Sequence, residues 1–296
     1  MNHLPQAWGR PRDDIYGAYN HAHLAPSHPT THTQSPIVTG TSVIALKFRG
    51  GVVIAADNLA SYGSLARFTD VKRLRKFNDK AVLGFGGDVS DMQYLDRHLN
   101  ALAIRENYSS GSGAGEKASS TSTDASEEER AESLDNEGAG TGMAANNLHK
   151  YLQKLLYRRR SDFNPLWNHI LIAGLSSPPP NAPDASPQPF LKSVDLLGTA
   201  FGAPSLATGF GAHLAQPILR RVVPDEEAVK KIDEATAVEA IRECMKVLWY
   251  RDARSLDRYS LAVVTKEGVR LSEDERVEGQ SWEFAEGIRG YGTQVV

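Results

Sequence analysis

Between Ser42 and Asp57 the chain reads SVIALKF, then Arg49-Gly50-Gly51, then VVIAAD, two runs rich in β-branched residues around a glycine turn. That pattern is strand, tight turn, strand, and it commits the chain to at least one antiparallel hairpin. KAVLGFGG, from Lys80 to Gly87, predicts a further strand ending in glycines. It hands over to a helix with Asp88 as N-cap and Met92, Leu95, Leu99 and Leu102 at helical spacing. A second helix is predicted over 144–160, with Leu148, Tyr151, Leu152, Leu155 and Leu156 on one side. The basic run Arg158-Arg159-Arg160 at its C-terminal end suits the helix dipole.

Further on, His169 to Gly174 and Phe190 to Asp195 read as short strands joined by a Pro-rich loop, 176–189. Helices are predicted over 209–221 and 235–250, the latter with Val238, Ile241, Met245 and Leu248 on a face. Tyr259 to Val264 and Gly268 to Leu271 close with a strand pair. Hairpin signals without βαβ alternation make this an α+β protein. Strands at both ends of the chain and helices between them suit stacked sheets covered by helices on both outer sides.

Two regions stand apart. Residues 1–32 mix His, Pro, Gly and Asn with little apolar periodicity and read as an arm or a removable leader. The segment 109–143 holds eight acidic and two basic residues, one leucine and no aromatic residue, so it reads as a disordered surface insertion. Its net charge of −6 exceeds the −3 of the whole chain. The remainder is near +3, too little to argue for nucleic acid as a partner (on the order of a few charges).

At 296 residues and 41% hydrophobic, the chain has enough apolar material for a sizeable core. No apolar run approaches the ~20 residues that cross a bilayer. The single cysteine, Cys244, excludes an internal disulfide and cysteine-built metal clusters. The nine histidines show no metal-ligand spacing, and His21, His23, His28 and His32 fall in the N-terminal arm. Gly202, Gly209 and Gly211 lack the lysine and context of a phosphate loop and read as turn and packing glycines. No metal and no cofactor is expected, nor a membrane partner.

The chemistry centres on Gly40-Thr41. Its plain reading is a strand-initiating threonine after a turn glycine. A threonine hydroxyl becomes a nucleophile when a base takes its proton, and in N-terminal nucleophile enzymes the free α-amine of the same residue does so. With TGTSVIALKFRGGVVIAAD, GSLARF, the Gly86-Gly87 turn and the run Tyr250-Arg-Asp-Ala-Arg-Ser255, the chain resembles proteasome β subunits from Thr33 to about Trp282. More narrowly, TQSPIVTGTSV, SYGSLARF, RRSDFNPLWN and APSLATGFGAHLAQP resemble the non-catalytic seventh β-type class of the eukaryotic 20S particle.

The resemblance implies a four-layer αββα sandwich, two antiparallel sheets between helix pairs, within a β ring of the core particle. It implies contacts with neighbouring β subunits in the ring and with the α ring, and a location in cytoplasm and nucleus. Active members hold a free-ended threonine, an aspartate that fixes a lysine, an Asp-x-x-Ser pair and a further serine. Those roles fall here on Thr41, Asp57, Arg73, Asp252, Ser255 and Phe210. Arg73 replaces the lysine and cannot shuttle protons at neutral pH, and Phe210 has no hydroxyl.

Asp57 and Arg73 therefore read as a buried ion pair kept for shape, or as a residual catalytic pair. Asp252 and Ser255 read as braces at the end of the last long helix, and glycine amides near Gly86 offer an oxyanion hole. The resemblance also implies trimming at His32-Thr33, which would leave the Thr41 nitrogen an amide with no basic lone pair. In the tail 281–296, Trp282, Phe284, Ile288 and Tyr291 need an apolar partner. That partner is either the chain's own domain or, by the resemblance, the opposite β ring.

Overall fold

The computed structural model describes residues 35–111, 143–176 and 187–286. The expected leader with its His32-Thr33 junction, most of the acidic insertion, the middle of the Pro-rich loop, and Ile288 and Tyr291 lie outside the described residues.

A short strand β1 (Val38–Gly40) precedes the expected hairpin, β2 (Val43–Phe48) and β3 (Gly51–Asp57). Next come β4 (Ala60–Tyr62), β5 (Leu65–Phe68), β6 (Leu74–Asn78) and β7 (Ala81–Asp88), then helices α1 (Val89–Gly111) and α2 (Ala145–Ser161). They are followed by β8 (Asn168–Ser176), β9 (Gln188–Val194), β10 (Ala200–Gly202) and β11 (Ser205–Ala207). The chain continues through α3 (Gly211–Leu214), α4 (Gln216–Val222), α5 (Glu226–Val229) and α6 (Glu234–Arg251) to β12 (Arg258–Thr265) and β13 (Gly268–Arg276).

All strand pairs are antiparallel and fall into two sheets. One runs β11-β2-β3-β12-β13; the other runs β10-β9-β8-β7-β1-β4-β5, with β6 also on β7. The hairpin shows how they stack. Val43 and Ala45 of β2, with Val52, Ile54 and Ala56 of β3, meet Leu171, Ala173 and Val82 between the sheets. The alternate residues Ile44, Leu46, Val53 and Ala55 face Leu219, Ile241, Met245 and Leu248 of α4 and α6. Both faces of each arm are buried, so apart from Lys47 and the terminal Asp57 the arms are apolar instead of alternating with polar residues. On the outer face of the larger sheet, Met92, Leu95 and Leu99 of α1 and Leu148, Leu152 and Leu156 of α2 cover Leu83, Phe85, Ile170 and Ile172. The result is helices, sheet, sheet, helices.

Several expectations need adjusting. Asp88 does cap α1: its Oδ1 accepts from Ser90 N at 2.8 Å and Asp91 N at 3.3 Å, and also from the Ser90 hydroxyl. That helix runs to Gly111, past the expected start of the insertion at 109, and at the other end Met143 O accepts from Asn78 Nδ2 at 3.0 Å. The Pro-rich loop is likewise shorter than expected, because Ser176 pairs with Gln188 and Leu175 with Pro189. The helix expected over 209–221 divides at Ala215 into α3 and α4, and Pro217 in the first turn of α4 has no N–H to continue the ladder. The charged end of β13, SEDER, extends the closing strand pair to Arg276.

The sheets pack closely at Gly84 of β7, where an added Cβ would lie 2.5 Å from Val43 Cγ1 and 2.9 Å from Ile54 Cδ1. Both neighbours are completely buried and have no space to move into. Gly84→Ala is expected to destabilise the chain by about 1–3 kcal/mol through overpacking, which denaturant unfolding of the purified protein would measure.

Candidate functional site

Thr41 sits where the chain passes from one sheet to the other, between β1 and β2. Its Oγ1 donates to Asp252 Oδ2 at 2.7 Å. Asp252 is the C-cap of α6, with its N–H on Leu248 O, and Ser255 Oγ donates to Leu248 O (3.1 Å) and Asp252 O (2.7 Å). Asp252 and Ser255 thus brace the end of this helix as expected, and Asp252 also holds the threonine hydroxyl.

Asp57 ends β3 and Arg73 immediately precedes β6, and the two form an ion pair between Arg73 Nη2 and Asp57 Oδ1. Arg73 is only 1% exposed. Its remaining donors go to main-chain carbonyls: Nε to Asp57 O at 3.0 Å, Nη1 to Thr41 O at 3.0 Å and Phe85 O at 3.1 Å, and Nη2 to Ser42 O at 3.0 Å. A guanidinium has five N–H groups, and each is matched to an acceptor here. Burial pushes the Asp57 carboxyl up to about 6; the Arg73 charge pulls against that rise, and the Asp252 charge adds to it.

The residues ahead of Thr41 are part of the sheet. Val38 and Thr39 pair with Tyr62 and Ser61 of β4, while Thr39 and Gly40 pair with Asp88 and Gly87 of β7. β1 therefore joins β4 to β7, and Ile37 N just before it donates to Asp88 Oδ2 at 2.9 Å. Gly40 rests on Arg73, since an added Cβ would lie 2.3 Å from Arg73 Cδ and 2.8 Å from its Nε. Gly86, expected to supply an oxyanion hole, stands beside the carbonyl of Thr41 itself, and the next residue, Gly87, is engaged opposite Gly40.

Phe210 is more than half exposed and packs edge-on against His213, with ring centroids 6.4 Å apart. The contact with the Thr41–Ser42 backbone is made by its neighbour Gly209. Other groups nearby were not legible in the sequence. Asn168 Nδ2 ties Gly86 O (3.1 Å) to Asp88 O (2.9 Å), and Thr208 Oγ1 accepts from Val43 N at 3.0 Å. His169 Nε2 is 2.6 Å from Ser193 Oγ. Burial lowers the pKa of this half-buried imidazole, and Ser193 is itself buried. Single polar residues in apolar strands carry no pattern that would announce them.

The family description "Proteasome subunit" matches residues 37–125 and 112–264. The chain belongs to the proteasome subunit family. Among its relatives, "Proteasome subunit beta type-7" of Saccharomyces cerevisiae is 43% identical over 298 residues, spanning 100% of both chains. "Probable proteasome subunit beta type-7" of Schizosaccharomyces pombe is 41% identical over 99% of this chain and 98% of its own. "Proteasome subunit beta type-4" of Xenopus laevis is 39% identical over 89% of this chain and 92% of its own. The fold agrees with that membership: this proteasome β subunit has the αββα sandwich of an N-terminal nucleophile hydrolase.

Arg73→Lys keeps a positive charge but offers three donors in place of a five-pronged fork. It is expected to cost this β subunit about 2–4 kcal/mol of stability, by leaving buried carbonyls unpaired and a gap beneath Gly40. Asp57→Asn, which strands a buried guanidinium, should cost about 3–5 kcal/mol. Parallel denaturant titrations of the two variants and the wild type check both values.

Proposed function

We propose that this proteasome β subunit is a non-catalytic, structural member of the 20S core ring, supporting assembly and the protein degradation carried out by the whole particle. The observation that carries this reading is Arg73. It stands where a proton-shuttling lysine is needed, all its donors are spent on main chain and Asp57, and none reaches the Thr41 hydroxyl. A guanidinium stays protonated far above neutral pH, so it provides no base. The peptide nitrogen of Thr41 provides none for as long as β1 remains attached to it.

The alternative, an active threonine peptidase, requires cleavage at Gly40-Thr41 to free the Thr41 α-amine as base, with Arg73 in the place of lysine; it would keep the Thr41–Asp252 bond. In the assembled particle, the mature chain is expected to begin near Thr33 and to resist labelling by a threonine-directed epoxyketone. Intact-mass measurement and N-terminal sequencing check the first, and mass spectrometry of the treated particle the second. A chain starting at Thr41, or an adduct on it, would overturn the proposal.

As a proteasome β subunit the chain assembles with other subunits of the core particle. Its tail offers one means. Ser281 N donates to Tyr250 Oη at 2.8 Å, and Trp282 and Phe284 stack in an aromatic group with Trp249 and Tyr250 at the end of α6. Both rings remain about half exposed, so docking on the chain's own helix leaves apolar surface for a further partner. We assign that surface, with the residues that follow, to the opposite β ring. Deleting 281–296 is expected to weaken pairing of half-particles, visible on native gels as accumulated half-particle; unchanged pairing would count against the assignment.

A further inference from the structure

Helix α2 buries a histidine among its leucines. His149 is one of its buried residues, with Leu148, Leu152 and Leu156, and only 4% of it is exposed. Among the described residues no hydrogen bond of normal geometry reaches its Nδ1 or Nε2. A buried imidazole with neither nitrogen paired is uncommon, because each such atom keeps its desolvation cost. The ring instead meets Phe190 of β9 edge-on, with centroids 6.0 Å apart. Nearby the helix sits hard on the sheet, since a Cβ added at Gly174 of β8 would lie 2.6 Å from Ala145 Cβ. Bringing water to the ring therefore means moving the helix.

The charges that act on His149 are both positive. They are Lys192 of β9, whose Nζ lies 5.4 Å from the centre of the same Phe190 ring, and Lys150 of α2 itself. β8 brings no charged side chain, and its His169 is bound to Ser193. On the side of α1, His98 is bound to Tyr151 Oη. Among the described residues no carboxylate acts on the ring. Burial drives its pKa below the ordinary 6.5, and Lys192 and Lys150 push the same way against the pull of the Ser193 main chain. The sign follows: the seat of α2 is fully stable above pH 6.5 and loses stability as pH falls below that value. The first turn has little else to hold it, because Ala144 at the N-cap offers no side-chain bond and no acidic residue follows.

We propose that His149 is an acid-operated catch: its protonation releases the N-terminal half of α2 from β9, and deprotonation reseats it. A cation at this position has no acceptor to pair with and two ammonium groups to repel it. The outer helix layer thus loosens in mild acid while the sheets beneath stay paired. The catch does not depend on the state of Thr41.

Amide hydrogen exchange of the purified full-length chain, corrected for the intrinsic pH dependence of exchange and read against β12, measures the opening of α2. From about pH 7.5 to about pH 5.5 the opening constant over 145–156 is expected to rise roughly five- to tenfold, one proton being taken up on opening. His149→Phe keeps a ring against Phe190 without a titratable nitrogen, and its α2 should open equally at both pH values. Lys192→Met leaves the buried leucines untouched, so it tests the catch even if H149F fails to fold; it should move the His149 titration upward and shrink the rise. Exchange at the imidazole C2 position, followed by mass spectrometry, reads that titration directly and should place it below 6.5. Opening of α2 that ignores pH, a rise that persists in H149F, no upward shift in K192M, or a His149 titrating at 6.5 or above would each overturn the proposal.

Discussion

The structure turns on a guanidinium that has no unused hydrogen. Arg73 belongs to the larger sheet through β6, and Phe85 N of β7 returns a bond to Arg73 O at 3.0 Å. Its side chain reaches across to Asp57 at the end of the smaller sheet and to both carbonyls of the Thr41–Ser42 crossing. One residue thus joins the two sheets at the end where the chain passes between them. An isolated buried charge would be costly, and removing either partner would expose that cost. Here the ion pair is accompanied by four main-chain acceptors, which is the condition under which a buried arginine is tolerated.

That bonding pattern also separates a catalytic from a structural use of one framework. A catalytic centre keeps a donor or acceptor in reserve to respond when charge moves in the reaction. In this chain Arg73 is saturated, Gly87 lies opposite Gly40 and the Thr41 hydroxyl is held by Asp252, while Asp57 Oδ2 is a buried acceptor left without a partner among the described residues. Each of these bonds stiffens the junction between the sheets. The threonine, aspartates and serine thereby have a structural use at this junction, whatever else they do.

What was legible in the sequence follows from how local each signal is. The β2–β3 hairpin, the Asp88 cap and the apolar faces of α1, α2 and α6 are written within a few residues of themselves, and the structure has them. β1, β4, β10 and β11 are three residues each, and they become strands only because partners distant in the chain lie beside them. The substitution of arginine for lysine at 73 could be read directly, as could its pairing with Asp57. Its four carbonyl partners could not, because main-chain acceptors leave no trace in residue identity. Gly40 shows the same limit: it reads as a turn glycine, whereas the structure uses its missing side chain to seat Arg73.

The outer strands of the two sheets are finished differently, and this bears on the chain's role. The edge strand β13 carries Glu273, Asp274, Glu275 and Arg276, a charged margin of the kind that keeps another strand from pairing. Among the described residues, edge strand β5 is exposed along its whole length and offers Leu65 and Phe68, with Tyr62 of β4 and Ile37, just before β1, exposed as well. A free monomer with that edge would be prone to self-pairing and aggregation. In a subunit of a larger particle the same edge is an asset, because burial on assembly turns an unfavourable surface into binding free energy. Of these two edges, among the described residues, the charged one resists further pairing and the apolar one gains from burial.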